Sequence, residues 1–210
     1  MKIKVCGITR IEQMQQLQDL GVDYTGMIFY EGSKRYIKDK LENQKSVITN
    51  LSINKVGVFV NAEYETIIKA INEYQLYAIQ LHGDETDEFC LELMDKVQVI
   101  KVFQINSEEN IEELTKPFLN TCHYFMFDTA PLGGVEPGGT GLQFDWSILE
   151  KAKINKPFFL SGGIGIDDIE KITLFHHPCL FAVDVNSRFE ISPGIKDMKK
   201  VERFITELNS

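Results

Sequence analysis

Two hundred and ten residues, 43% hydrophobic and 25% charged, have the composition of an ordinary globular chain and exclude disordered, collagen-like and fibrous readings. Twenty-two Lys and Arg against 31 Asp and Glu leave a net charge of −9, which excludes a general binder of nucleic acid or of anionic membrane. Such a chain can still bind an anion through backbone N–H groups or one placed arginine.

Short apolar runs alternate with amphipathic segments along the whole chain. Strands are predicted at Lys2–Cys6, Tyr24–Phe29, Lys55–Val60, Tyr77–Leu81, Gln98–Phe103, Tyr124–Phe127, Pro157–Leu160 and Leu180–Val185. They are rich in Val, Ile and Phe and almost continuously apolar, as strands buried on both faces are. Helical spacing marks Ile11–Leu20, Tyr64–Tyr74 and Ile169–Phe175, with Asn61, Ser107 and Asp167 as predicted N-caps. The segment after Lys38 is polar and patterns weakly. Asp84-Glu85-Thr86-Asp87-Glu88 reads as the acidic first turn of a helix. Phe144-Asp145-Trp146 reads as a helix start that packs the sole Trp against the sheet.

Alternation of this kind means a parallel sheet. Eight strand-then-helix units without a linker predict an α/β fold, a single (β/α)8 barrel domain over residues 1–210, with an open doubly wound sheet as the alternative. The first residues are too short an apolar run for a signal peptide, and no stretch is long enough to span a membrane. Cys6, Cys90, Cys122 and Cys179 are scattered, without zinc-type spacing, so reduced thiols, no metal site and a cytoplasmic location are expected.

Barrel chemistry sits where strands end and helices begin. Nine of the 15 glycines follow residue 130, most of them in the loops after strands six and seven. Strand one ends in Cys6, whose thiol would work as a base or nucleophile if its pKa were depressed; a small buried filler is the other reading. Strand six ends in Asp128, where burial would raise the carboxyl pKa and suit it to general acid work; an N-cap or ion-pair partner is the other reading. Gly162-Gly163 after strand seven and Asn186-Ser187 after strand eight fit a barrel phosphate cradle. Arg35 can clamp a substrate carboxylate or remain a solvated surface residue. His82 can position substrate or satisfy a neighbour.

Taken in order, Lys4-Val5-Cys6-Gly7-Ile8-Thr9, Ser33-Lys34-Arg35-Tyr36, Gln80-Leu81-His82-Gly83, Phe127-Asp128-Thr129 with Gly138-Gly139-Thr140-Gly141, Phe144-Asp145-Trp146, Leu160-Ser161-Gly162-Gly163-Ile164, and Asp184-Val185-Asn186-Ser187 with Ser192-Pro193-Gly194-Ile195-Lys196-Asp197 resemble the phosphoribosylanthranilate isomerases of tryptophan biosynthesis. The resemblance covers the whole chain. It implies a cofactor-free barrel, a monomer or homodimer, that performs an Amadori rearrangement on a small phosphorylated substrate. It implies that Asp128 is the general acid that opens the ribose ring and Cys6 the general base at C2′. It further implies that Arg35 holds the anthranilate carboxylate and that Gly162, Gly163 and Ser187 hold the phosphate; His82 and Asp184 are expected to contact substrate, and Asn186 to join the phosphate site. Two positions depart from the family pattern: Lys34 stands for Pro, and Arg188 stands for Gly beside the cradle.

The rival barrel isomerases of histidine biosynthesis resemble a pattern with Asp at the end of strand one and a half-barrel repeat; Cys6 and the absence of an evident repeat argue against them. A phosphate-ligand sensor without catalysis would be favoured by loss of Cys6 or Asp128, and both are present.

Overall fold

The structure is a computed structural model that describes residues 1–106, 109–130 and 143–209. Eight parallel strands close into a barrel in sequence order: β1 (Lys2–Val5), β2 (Tyr24–Ile28), β3 (Asn54–Phe59), β4 (Ala78–Leu81), β5 (Gln98–Ile105), β6 (Tyr124–Thr129), β7 (Phe158–Leu160) and β8 (Leu180–Val185). Closure comes from β1 pairing with β8, Lys2 opposite Ala182 through Val5 opposite Val185. The open-sheet alternative is thereby excluded.

Helices follow the strands: α1 (Ile11–Asp19), α2 (Lys38–Leu41), α3 (Lys45–Thr49), α4 (Tyr64–Tyr74), α5 (Asp87–Met94), α6 (Ile111–Thr115), α7 (Ser147–Lys151), α8 (Ile169–Leu174) and α9 (Met198–Leu208). The weakly patterned segment after Lys38 accordingly forms only the short pieces α2 and α3. α1 turns Ile11, Met14 and Leu17 inward at helical spacing, and α4 buries Ile67, Ala70 and Tyr74. Trp146 is buried as expected, edge-on to Phe175, while the Asp145 carboxylate accepts from the Ser147 N–H at the start of α7.

The predicted caps fall elsewhere. Asn61 is in a left-handed turn, and its side chain accepts from the Asp84 N–H, so it fastens one loop to another instead of starting α4. Asp167 lies within a short 3-10 turn (Ile166–Asp168) ahead of α8, and the neighbouring Asp168 carboxylate accepts from the Gly165 N–H. Ser107 lies outside the described residues; α6 is capped by Asn110, which accepts from the Glu113 N–H. Thr86 and Asp197 cap α5 and α9 in the same way, each such cap being worth about 1 kcal/mol.

Side-chain alternation along the strands divides the barrel interior by height. Tyr24, Val56, Ile100, Met126 and Phe159 form an apolar floor. Two and four residues beyond the floor positions Ala78, Met126 and Ala182 the inward positions become polar, Gln80 and His82, Asp128, Asp184 and Asn186, with Lys4 and Cys6 beside them from β1. An apolar floor under a polar rim makes the C-terminal end of the barrel the chemical end.

Candidate active site

A cavity of about 360 Å³ opens at that end, and Cys6, Arg35, His82, Asp128, Gly162, Gly163, Asp184, Asn186 and Ser187 all line it. Residues separated by up to 181 positions in sequence are thus brought to one concave surface by strand closure.

Cys6 lies one residue beyond β1, with its N–H donating to Val185 of β8 at 2.9 Å. Gly26 on β2 leaves room for the sulfur, since a Cβ there would stand 2.7 Å from Sγ. Below it, Lys4 Nζ donates to Asp184 Oδ1 at 2.9 Å, and both side chains are buried. The expected depression of the thiol pKa is not found. Burial pushes Cys6 above the ordinary thiol value, and Asp184 adds to this, against the downward pull of Lys4 and Lys196. Asp184 is likewise raised by burial, with Lys4 opposing.

Asp128 is not fully buried, contrary to expectation; 14% of its side chain is exposed at the mouth. Its Oδ1 accepts from the Thr129 N–H at 2.9 Å, which aims Oδ2 toward the ring of His82. His82 Nε2 is 3.3 Å from Oδ2, although not aligned as a hydrogen bond, and Nδ1 is 3.2 Å from Gln80 Nε2. The ring therefore stands beside the carboxylate as a wall of the cavity.

Two strands from Cys6 around the barrel, the chain after β7 turns through Gly162 and Gly163 at φ of +93° and +62°, the left-handed region that disfavours any side chain. A Cβ on Gly162 would also strike Thr129. Together with Ser187, which opens a 3-10 turn after β8 (Ser187–Phe189), these glycines present backbone to the cavity as an anion site requires. The Arg188 guanidinium folds toward this turn, Nη1 donating to the Gly163 carbonyl at 3.2 Å with Nη2 3.9 Å from Asp167. The glycine-rich stretch 131–142 that the sequence singles out after strand six lies outside the described residues.

The least legible part of the site is a set of buried ion pairs. Arg35 donates through Nε and Nη2 to the two oxygens of Glu190, at 2.9 and 2.7 Å. Glu190 also accepts from Lys196 Nζ at 2.7 Å, and Lys196 reaches Asn186 Oδ1 at 2.6 Å. Glu190 begins a small hairpin of β9 (Glu190–Ser192) and β10 (Ile195–Lys196), which the strand pattern did not reveal. A second such pair, Lys101 with Glu85 at 2.9 Å, props the loop that carries His82: Lys101 Nζ donates to the Gly83 carbonyl and Glu85 accepts from the Gly83 N–H. Glu85 is therefore buried, not part of a solvated acidic turn. Among the described residues no group of His, Cys, Asp and Glu is arranged to hold a metal ion, and no helix is long and apolar enough to cross a membrane.

Comparison with known proteins agrees with this geometry along the whole chain. Residues 3–207 match the family model of N-(5'phosphoribosyl)anthranilate (PRA) isomerase. The N-(5'-phosphoribosyl)anthranilate isomerase of Parabacteroides distasonis is 41% identical over 210 residues, covering 99% of this chain and 93% of its own. That of Phocaeicola vulgatus is 37% identical, covering 99% and 98%. Among solved structures, the phosphoribosyl anthranilate isomerase of Thermotoga maritima superposes with a TM-score of 0.85 at 34% identity, covering 99% and 98%. An isomerase in complex with reduced 1-(o-carboxyphenylamino)-1-deoxyribulose 5-phosphate superposes with a TM-score of 0.81 at 30% identity, also covering 99% and 98%. With the barrel, the cavity and its facing thiol and carboxylate already in place, these matches establish that the chain belongs to the N-(5'-phosphoribosyl)anthranilate isomerase family.

Proposed function

We infer that this chain converts N-(5'-phosphoribosyl)anthranilate to 1-(2-carboxyphenylamino)-1-deoxyribulose 5-phosphate in tryptophan biosynthesis, by general acid–base catalysis at the rim of the barrel. The observation that carries the mechanism is that Cys6 and Asp128 line one cavity that is also walled by the Gly162–Gly163 turn. The substrate has an anion at each end and needs one proton delivered and another removed between them.

In this reading the phosphate rests on backbone N–H groups around Gly162, Gly163 and Ser187, with Asn186 beside them, and Arg35 meets the anthranilate carboxylate. Asp128 gives its proton to the ribose ring oxygen as the C1′–O bond breaks, which leaves an open-chain Schiff base and a carboxylate. His82, with Nε2 3.3 Å from Asp128 Oδ2, borders the reacting end of the cavity. The Cys6 thiolate then takes the proton from C2′, and the electron pair moves toward the Schiff-base nitrogen to form an enol-amine. Tautomerisation of the enol gives the ketone. Nothing is gained or lost overall. A thiol raised by burial holds little thiolate at neutral pH, but the thiolate that forms is a stronger base, and Lys4 and Lys196 offset part of the desolvation. Asp184 acts through its pairing with Lys4 under the sulfur and borders the substrate from below.

The protein is taken to act in the cytoplasm as one domain over residues 1–210, as a monomer or homodimer; one related structure is of monomers generated from a dimeric isomerase of Thermotoga maritima. The test is a fluorescence assay on freshly generated phosphoribosylanthranilate. Loss of the anthranilate signal in proportion to enzyme is expected, and a signal that decays no faster than without enzyme would refute the assignment.

A further inference from the structure

A guanidinium has five N–H donors on two flat edges. In Arg35 the side-on edge is already occupied, because Nε and Nη2 both donate to Glu190. The end-on edge, formed by Nη1 and the second Nη2 proton, makes no hydrogen bond among the described residues, and Arg35 lines the cavity. One arginine can therefore hold two carboxylates at once, one on each edge.

Glu190 is built for the protein half of that arrangement. Its side chain is only 5% exposed, and its Oε1 accepts from Lys196 Nζ and the Gly194 N–H as well as from Arg35 Nε. Burial alone would raise its carboxyl pKa, but the Arg35 hydrogen bonds and the Lys196 charge reverse this and hold it below the ordinary value. Arg35 and Glu190 compensate each other at the wall of a cavity that receives an anion, and Lys196, whose pKa burial lowers against the opposing pull of Glu190, completes the group. Lys196 in turn holds Asn186, so the group that fixes Arg35 also reaches the side of the cradle.

We propose that Glu190 is the positioning residue of the carboxylate subsite: it locks the Arg35 guanidinium side-on, so that the end-on edge alone faces the substrate carboxylate. This rests on the reading of Arg35 as the group that meets that carboxylate. Pre-ordering a long side chain removes its rotamer cost from the binding step. It also gives specificity, because a substrate without a carboxylate leaves two donors of a fixed, partly buried cation unpaired.

The experiment compares Arg35→Ala, Glu190→Gln and the double variant for KM and kcat. It also titrates each with reduced 1-(o-carboxyphenylamino)-1-deoxyribulose 5-phosphate, which has both anionic ends, and with inorganic phosphate, which has one. Glu190→Gln is expected to raise KM and weaken the two-ended ligand on the order of tenfold, with kcat and phosphate binding close to wild type. In the Arg35→Ala background the same change should add little, since both act on one contact. Equal weakening of phosphate and the two-ended ligand, or a full extra loss in the double variant, would overturn the proposal in favour of a purely structural role. An Arg35→Ala variant with unchanged KM would instead overturn the reading of Arg35 itself. If Glu190→Gln leaves Lys196 too poorly compensated to fold, Glu190→Asp keeps the charge but withdraws it from Arg35 by one methylene, and the same selective rise in KM is expected; an unchanged KM there counts against the proposal.

Discussion

Lys4 on β1 and Asp184 on β8 are register partners whose side chains meet at 2.9 Å, with neither more than 5% exposed. The pair lies directly beneath Cys6, so it bears on stability and on the thiol together. Lys4→Met leaves Asp184 buried without a counter-charge, which costs about 3–5 kcal/mol in comparable sites. It also removes the nearest cation from the sulfur, so the thiol should titrate higher still. Denaturant unfolding and thiolate absorbance against pH measure the two effects. An unchanged unfolding midpoint would mean that the pair contributes nothing net.

Cys6 and Asp128 should each be necessary, for different proton transfers. Loss of a positioned acid or base typically lowers the rate by about 10²–10⁴-fold. Cys6→Ala and Asp128→Asn are therefore expected to reduce kcat by that order while binding of the reduced product analogue stays nearly intact. The pH profile carries a further expectation. The acid acts protonated and the base deprotonated, so the profile has one limb from each group; burial holds the thiol above the ordinary value, so the thiol limb should lie above the usual thiol range of about 8.5. A thiol limb within or below that range would count against the buried Cys6 as the base, and a Cys6→Ala variant that kept most of its kcat would make the thiol a packing residue.

How far the sequence carried the fold follows from what each pattern encodes. All eight barrel strands were legible because strands buried on both faces are apolar at every position, and β8 was bounded correctly at both ends. Cys6, His82, Asp128, Gly162 and Asn186 were legible because they stand at or within two places of the ends of those runs. Glu190 and Lys196 were not. Arg35, the partner of Glu190, is 155 residues away, and a Glu and a Lys in a polar tail pattern as surface until the barrel closes. Glu85 departs from the expected acidic turn for a related reason: its neighbours Thr86 and Asp87 behave as an ordinary helix start, while the Lys101 ammonium on β5 and the Asn61 and Gly83 N–H groups hold it inward. The thiol direction was missed because nearby cations show in a sequence while the depth of burial does not.

Two cysteines outside the cavity predict how stability falls in alkali. Burial pushes Cys122 to about 11 and Cys90 to about 12, whereas in the unfolded chain both ionise near the ordinary value of about 8.5. Between those limits the folded state binds more protons than the unfolded state, so stability decreases as pH rises. The decline should begin near the unfolded value and continue toward pH 11 to 12, with no contribution from these groups below it. Chemical denaturation at successive pH values measures it. Cys90→Ala with Cys122→Ala should lower stability at neutral pH through lost packing yet flatten the alkaline slope; a double variant with the wild-type slope would assign that slope to other groups.

Arg188 occupies a position beside the cradle where the family pattern has Gly. A glycine would let backbone approach the phosphate with nothing above it; here Arg188 Nη1 is tied to the Gly163 carbonyl, and 39% of the side chain remains exposed. The guanidinium is also close to Gly165, where an added Cβ would stand 2.8 Å from its Nε, so it packs along the turn instead of projecting into solvent. Its charge therefore lies beside the Gly162–Gly163 turn while the backbone of that turn still lines the cavity. An exposed charge acting at that range is screened by salt, with a Debye length of about 10 Å at 0.1 M. Arg188→Gly is expected to weaken inorganic phosphate and the reduced product analogue modestly at low ionic strength and less at high ionic strength, with kcat close to wild type. Calorimetric titration at two salt concentrations separates the cases. A variant that no longer bound either ligand at any ionic strength would show that the side chain, and not the Gly162–Gly163 backbone, is the principal phosphate ligand in this protein.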